Sequence, residues 1–284
     1  MVNKEYHEAN RISWNAATQA HNSHKADQAK FFREGGQTLY PEEIELLGDL
    51  HGRSLVHLQC NAGQDTLSIA RLGAAVTGVD ISDVAIDFAR KLSADSGIPA
   101  AFHRSDVYDW LADTAAGGQR FDVVFSSYGA LCWLSDLRTW AKGVEAILNP
   151  DGRIVLVDFH PYAMIFDDDW SFGYDYFKGE PIAWDDGIGD YVAMSGELLA
   201  PSGYLPGEKD FVNPNPSYEF QWPISEIITA LLEAGLRLTT FKEYPYFNGA
   251  KLLNDMRQME DGRVYPPEGF PSLPLTYAIT ATKD

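Results

Sequence analysis

Cysteine is almost absent from this 284-residue sequence, which holds only Cys60 and Cys132. Two cysteines make neither a disulfide framework nor a zinc-ligand pattern, so the expectation is a reduced, cytoplasmic protein. Positive charge is scarce too. Lys and Arg number 22 against 41 Asp and Glu, a net charge of −19, and the basic residues are scattered. A nucleic-acid backbone or an anionic membrane surface would be repelled, so the expected partner is a small molecule and neither of those. The acidic balance also serves solubility. No apolar run reaches the roughly 18 residues that suggest a membrane-spanning helix. The opening "MVNKEYHEANRISWN" lacks the apolar core of a secretory signal.

What is present is alternation. From about residue 53 to 160, short apolar, β-branched runs recur: "SLVHLQ" (54–59), "AAVTGVD" (74–80), "AAFHRSD" (100–106), "FDVVFSS" (121–127) and "RIVLVDF" (153–159). Helical stretches separate them, which predicts βαβ units and a parallel sheet. Ser82 and Asp83 are natural caps for the helix after the second run, and it ends near Gly97. After residue 159 the grammar changes. Residues 159–222 hold 15 of the 36 aromatics and 12 acidic side chains against two lysines. Linkers are poor in aromatics, so this segment reads as an ordered insert. A helix over 223–236, started by Pro223, and two strands, "RLTTFKEYPY" and "LPLTYAITATK", follow it, while the first 50 residues are helical and amphipathic.

The stretch "HLQCNAGQD" (57–65) sits where an open parallel sheet collects ligands, at the end of its first strand. Gly63 would let backbone pass close to a ligand there. The next strand ends in Asp80, whose carboxylate offers two acceptors to a ribose diol. The third ends in Ser105-Asp106-Val107, where the acid can accept from an adenine amine and the Val107 backbone can serve a ring nitrogen. Acids at successive strand ends imply an adenosine-type ligand. A nicotinamide-dependent oxidoreductase is the competing reading, and it wants G-x-G-x-x-G to cradle a pyrophosphate. Gln59, Asn61 and Gln64 stand among those glycine positions.

From about residue 45 to the C-terminus these motifs resemble the class I S-adenosylmethionine-dependent methyltransferases. That family's first motif reads as an acidic residue followed by x-G-x-G-x-G. Here His57 holds the acidic position, Gln59 and Asn61 the first two glycines and Gly63 the third, like the "LHLQC" variant of one subgroup. The resemblance implies that Asp80 grips ribose, Ile81 lies against adenine, Asp106 and Val107 bind adenine, and Ser126 lies near the methionine portion. Gln59 and Asn61 would orient backbone or touch the methionine carboxylate, and the segment holding Trp14 would fold over the cofactor. His57 opens a buried strand and is expected to be a hydrogen-bonded structural residue. The implied fold is α/β, a Rossmann-like seven-stranded sheet, mostly parallel with a C-terminal antiparallel strand and helices on both faces. Four segments follow: an N-terminal helical lid (1–50), a cofactor-binding core (51–160), an aromatic and acidic substrate cap (161–222) and a C-terminal helix and strand pair (223–284).

Methyl transfer from a sulfonium is an in-line displacement, so the protein must chiefly align the reactants and exclude water. A base is needed only where the acceptor has to lose a proton. His160, directly after the fifth strand, and Tyr128, after the fourth, are the candidate catalytic groups. Trp133, Phe159, Tyr162, Trp170, Tyr174, Tyr176 and Trp222 are the candidate substrate wall, since aromatic faces suit planar or cationic molecules. Aromatics are also how an irregular insert builds its own core. No metal is expected, because no nearby Cys or carboxylate completes a site around His21 and His24. The expected activity is methyl transfer to an N or O atom of a small molecule. A protein that binds the cofactor without transferring the methyl is a further alternative, and product formation separates the two.

Overall fold

The computed structural model describes residues 1–177 and 179–284. Three helices come first: α1 (Lys4–Ser23), α2 (Gln28–Arg33) and α3 (Pro41–Leu47). Strands then alternate with helices: β1 (Ser54–Leu58), α4 (Gln64–Arg71), β2 (Ala75–Asp80), α5 (Asp83–Ser96), β3 (Ala101–Arg104), α6 (Val107–Ala116), β4 (Phe121–Ser127), α7 (Leu137–Ile147) and β5 (Leu148–Phe159). The insert contributes β6 (Ile182–Trp184), α8 (Tyr191–Ser195) and β7 (Ser217–Glu219). It is followed by α9 (Ile224–Glu233), β8 (Arg237–Tyr244), β9 (Phe247–Asn248), β10 (Arg257–Gln258), β11 (Arg263–Tyr265) and β12 (Thr276–Thr282).

Seven strands form the main sheet in the order β3-β2-β1-β4-β5-β12-β8. β1 to β5 run parallel, and β12 is antiparallel to both of its neighbours. This is the expected α/β architecture. Side chains alternate across it as a pleat requires. Val56, Val124, Ile154 and Leu156 face α6, α7 and α9 on one side, while Leu55, Val123, Val155 and Val157 face α3 and α4 on the other. β5 begins at Leu148, earlier than its β-branched run, because Leu148 pairs with Phe121 and the Asn149–Gly152 turn is carried as an irregularity. The small β9–β11 sheet between β8 and β12 was not foreseen. Its two- and three-residue strands carry no periodicity to read.

Helix starts follow the cap chemistry. Asn3, Ser82, Asp106 and Asp136 each accept a backbone N–H from the first turn of α1, α5, α6 and α7. Gly97 ends α5 in the left-handed conformation. Among the described residues no helix is long and apolar enough to cross a membrane.

Candidate functional site

Strand order reverses between β1 and β4, and the crevice at such a switch point is where open α/β sheets hold ligands. Here the carboxyl ends of the strands open into a cavity of about 1080 Å³, lined also by α1 and the insert.

The β1–α4 loop keeps the geometry of a glycine-rich turn with one glycine. Gln59, Asn61 and Gly63 have φ of +57°, +48° and +80°. Asn adopts the left-handed region more readily than most residues. Gln59 is held there by its Nε2, which donates to Ala130 O at 2.7 Å, and its buried Oε1 has no partner. Asn61 is held by its own Oδ1 accepting from Ala62 N at 2.6 Å. Gly63 does not line the cavity. A Cβ on it would stand 2.7 Å from Ala89 Cβ and 2.9 Å from the Phe102 ring, so this glycine lets α4 start hard against α5 and β3. Gly63→Ala is expected to destabilise the fold by about 1–3 kcal/mol through overpacking and a strained φ, seen as a lowered denaturant midpoint.

Asp80 ends β2 at the cavity wall. Its Oδ2 accepts from Asn61 N and its Oδ1 from Ser82 N, both at 2.8 Å. Burial pushes its carboxyl up to about 6, against these N–H donors. Ile81 and Val107 line the cavity next to it. Asp106 is engaged more heavily than its sequence context suggests. Oδ1 accepts from Tyr108 N at 2.8 Å and lies 3.1 Å from Lys4 Nζ, while Oδ2 meets His7 Nδ1 at 2.7 Å. Burial raises its carboxyl, and His7 and Lys4 overcome this and hold it below the usual range.

A family model described as a methyltransferase domain matches residues 56–152. Residues 56–152 thus form a methyltransferase domain. A candidate S-adenosylmethionine-dependent methyltransferase from Listeria monocytogenes superposes with a TM-score of 0.57 at 19% identity, covering 86% of this chain and 95% of that one. An S-adenosylmethionine-dependent methyltransferase from Mesorhizobium loti gives 0.52 at 17%, covering 88% and 100%. Among curated proteins, the ubiquinone biosynthesis O-methyltransferase of Actinobacillus pleuropneumoniae serotype 7 (strain AP76) is 29% identical over 104 residues. That match spans 36% of this chain and 44% of the relative. The residues of the methyltransferase domain fit an S-adenosylmethionine cofactor: Asp80 and Asp106 both line the cavity, and a buried, unpartnered Gln59 Oε1 stands at the loop.

The other residues singled out in the sequence divide. Trp14, Tyr128, Trp133, Phe159, Tyr174 and Trp222 line the cavity. Ser126 does not; it is fully buried inside β4, and the neighbouring Ser127 lines the cavity instead. Tyr162, Trp170 and Tyr176 belong to a satellite core with Phe166, Phe247 and Met256 instead. Trp170 Nε1 donates to Asn254 O at 2.8 Å and Tyr176 Oη accepts from Ile224 N at 3.0 Å, so these rings build the cap rather than face a substrate. His160 also misses the cavity. Its Nδ1 accepts from Tyr162 N at 3.0 Å, its Nε2 lies 3.1 Å from Glu243, and its ring stands edge-on to Tyr277. Alternation explains this: Phe159 lines the cavity, and the residue after it turns to the other side.

Several lining residues carried no motif. Lys25 is one, its ammonium pushed down to about 8 by burial, with Asp65 and Asp190 opposing. His57 is the hydrogen-bonded residue expected, with Nδ1 3.0 Å from Thr66 Oγ1 and its imidazole lowered to about 3 by burial. A carboxylate does approach the histidine pair: Asp190, from the insert, lies 2.7 Å from His24 Nε2. No group of three such ligands placed to hold a metal occurs among the described residues.

Proposed function

We propose that the protein transfers the methyl group of S-adenosylmethionine to an N or O atom of a small molecule by in-line displacement, in the cytoplasm. The observation that carries this is the pair of strand-end carboxylates, Asp80 and Asp106, facing one cavity whose far wall is aromatic. The relatives named as ubiquinone biosynthesis O-methyltransferases support the cofactor, while the family match ends at residue 152, before the cap that would choose the acceptor. The net charge of −19 favours a small acceptor over nucleic acid.

The bound cofactor supplies a methyl group already activated by positive sulfur. Asp80 would hold the ribose, Ile81 and Val107 the adenine faces, and the Gln59–Asn61 backbone the amino-acid end. Trp14, stacked edge-on against Trp133 with ring centroids 5.5 Å apart, excludes water from above. Tyr128 suits orientation better than proton abstraction. Burial and the neighbouring Glu43 push its phenol well above its ordinary value, and Asn248 Nδ2 donates to Oη at 2.9 Å, which holds the ring in place at the cavity wall. Its φ of +28° is the kind of strained backbone that persists at functional sites. Tyr128→Phe should lower turnover by roughly 3- to 10-fold, the scale of one hydrogen bond, with cofactor affinity unchanged. Turnover equal to the wild type in steady-state assays would remove that role.

Calorimetry against S-adenosylmethionine, S-adenosylhomocysteine and NAD tests the cofactor. A mass-spectrometric search for methylated amines and phenols tests the transfer. Binding of NAD alone would overturn the reading.

A further inference from the structure

At the acceptor end of the cavity the polar groups are unmet. β6 and β7 pair antiparallel, with Ile182 opposite Glu219 and Trp184 opposite Ser217. Alternation puts Ile182, Trp184, Glu219 and, two residues on, Gln221 on one face, and all four line the cavity. Burial pushes the Glu219 carboxyl up, and no cationic side chain among the described residues offsets it. The Trp184 indole N–H lies beside that carboxylate without closing a hydrogen bond. Gln221 is 8% exposed, and neither its Nε2 nor its Oε1 has a partner. Tyr277, 1% exposed, also lines the cavity with an unpartnered hydroxyl. Buried polar groups are almost always hydrogen-bonded, so a set of unmet ones sharing a single space marks a place for a ligand.

The charge around them has one sign. Lys25 is the one lysine lining the cavity among the described residues, and its charged neighbours are Asp65 and Asp190 rather than Glu219. Asp158 commits its oxygens to backbone N–H groups. Glu219 therefore stands as a half-buried acid without a counter-ion, in a cavity wall that also carries Trp184, Phe220 and Trp222.

We propose that this face receives a methyl acceptor bearing a protonated amine, with Glu219 as its counter-ion, indole faces as its walls, and Gln221 and Tyr277 bonding its remaining polar groups. The proposal rests on the methyl-transfer reading above and names its substrate class. A neutral acceptor would leave that carboxylate unpaired, and an anionic one would be repelled. A cation supplies the missing charge and is drawn to indole faces.

The test uses full-length protein saturated with S-adenosylhomocysteine and titrated calorimetrically at pH 7 with 2-phenylethylamine, 2-phenylethanol and 3-phenylpropanoate. The amine should bind at least tenfold more tightly than the alcohol or the acid. Glu219→Gln should erase that preference with S-adenosylhomocysteine affinity and melting temperature not lowered, because Glu219 joins no ion pair in the fold and a glutamine oxygen can still face the Trp184 N–H. Gln221→Leu should weaken the amine while keeping the preference. Equal binding of amine and alcohol, preference for the acid, or no binding of any probe to the loaded protein would overturn the proposal. So would a Glu219→Gln variant that loses affinity for S-adenosylmethionine but not for S-adenosylhomocysteine, which would assign the acid to the sulfonium. Failure of S-adenosylhomocysteine itself to bind would instead strike the cofactor reading.

Discussion

Asp80→Ala is expected to weaken S-adenosylhomocysteine binding by about 1–3 kcal/mol, roughly five- to 150-fold, while the protein stays folded. The loss would follow from chemistry at one point, the proposed grip of a carboxylate at the end of β2 on two ribose hydroxyls. Asp80→Asn makes the sharper pair with it. Burial raises the Asp80 carboxyl to about 6, so in the ligand-free protein its charge opposes folding above its ordinary value near 3.8. The sign follows directly. Between about pH 4 and 6 the folded chain binds the proton that the unfolded chain has lost, so this group's contribution to stability rises as pH falls. The Asp80→Asn variant sheds the buried charge but turns an amide NH₂ toward one of the two backbone donors, so it should melt near the wild type at pH 7 and still bind the cofactor poorly. Wild-type affinity should itself fall below about pH 6 as Asp80 protonates. Calorimetry across pH 5 to 8 reads this, and a flat profile with undiminished affinity in both variants would remove Asp80 from the site.

The largest stability effect is expected at Asp158. Its carboxylate is 3% exposed and gathers three backbone donors, from Gly129, from Leu131 at 3.1 Å and from Phe159 at 2.7 Å. It thereby ties the β4 loop, which carries Tyr128 and Trp133, to the end of β5. Asp158→Ala would leave those N–H groups buried and unmet, each bond to a charged acceptor being worth about 1.5–3 kcal/mol, and should destabilise the protein by roughly 3–5 kcal/mol. Asp158→Asn should recover only part. Its amide offers one accepting oxygen, and its NH₂ would point at a backbone donor. Chemical denaturation distinguishes the three proteins, and a loss under about 1 kcal/mol for the alanine variant would show that the loop is held by other means.

The parallel half of the sheet was legible because β-branched runs and capped helices repeat at a readable period through residues 54–127. The first motif was harder, since Gln59 and Asn61 hide a left-handed backbone that glycine usually announces; only coordinates show that the turn survived the loss of its glycines. Strand-end acids could be read from position alone. The polar contacts of Asp106 with α1 could not, because His7 is distant in sequence and nothing local marks the meeting. The insert resisted for the same reason. Its aromatics divide between a satellite core and the cavity wall, and composition cannot tell Trp170 from Trp184 when the difference lies in which neighbour each ring meets. Gln221 and Lys25 lacked any signal beyond residue type.

α1 touches both halves of the site. His7, Arg11 and Asn15 reach Asp106, Asp83 and Ser82 on the core, while Asn10, Ser13 and, just past its end, His24 reach Tyr218, Asn215 and Asp190 on the insert. One helix therefore rests on the proposed cofactor site and on the proposed acceptor site at once. Whatever free energy either ligand gains by settling that helix is shared with the other, and linkage makes the effect reciprocal. The two ligands are thus expected to sharpen each other's affinity by one common factor, through helix α1 rather than through any contact between the ligands themselves.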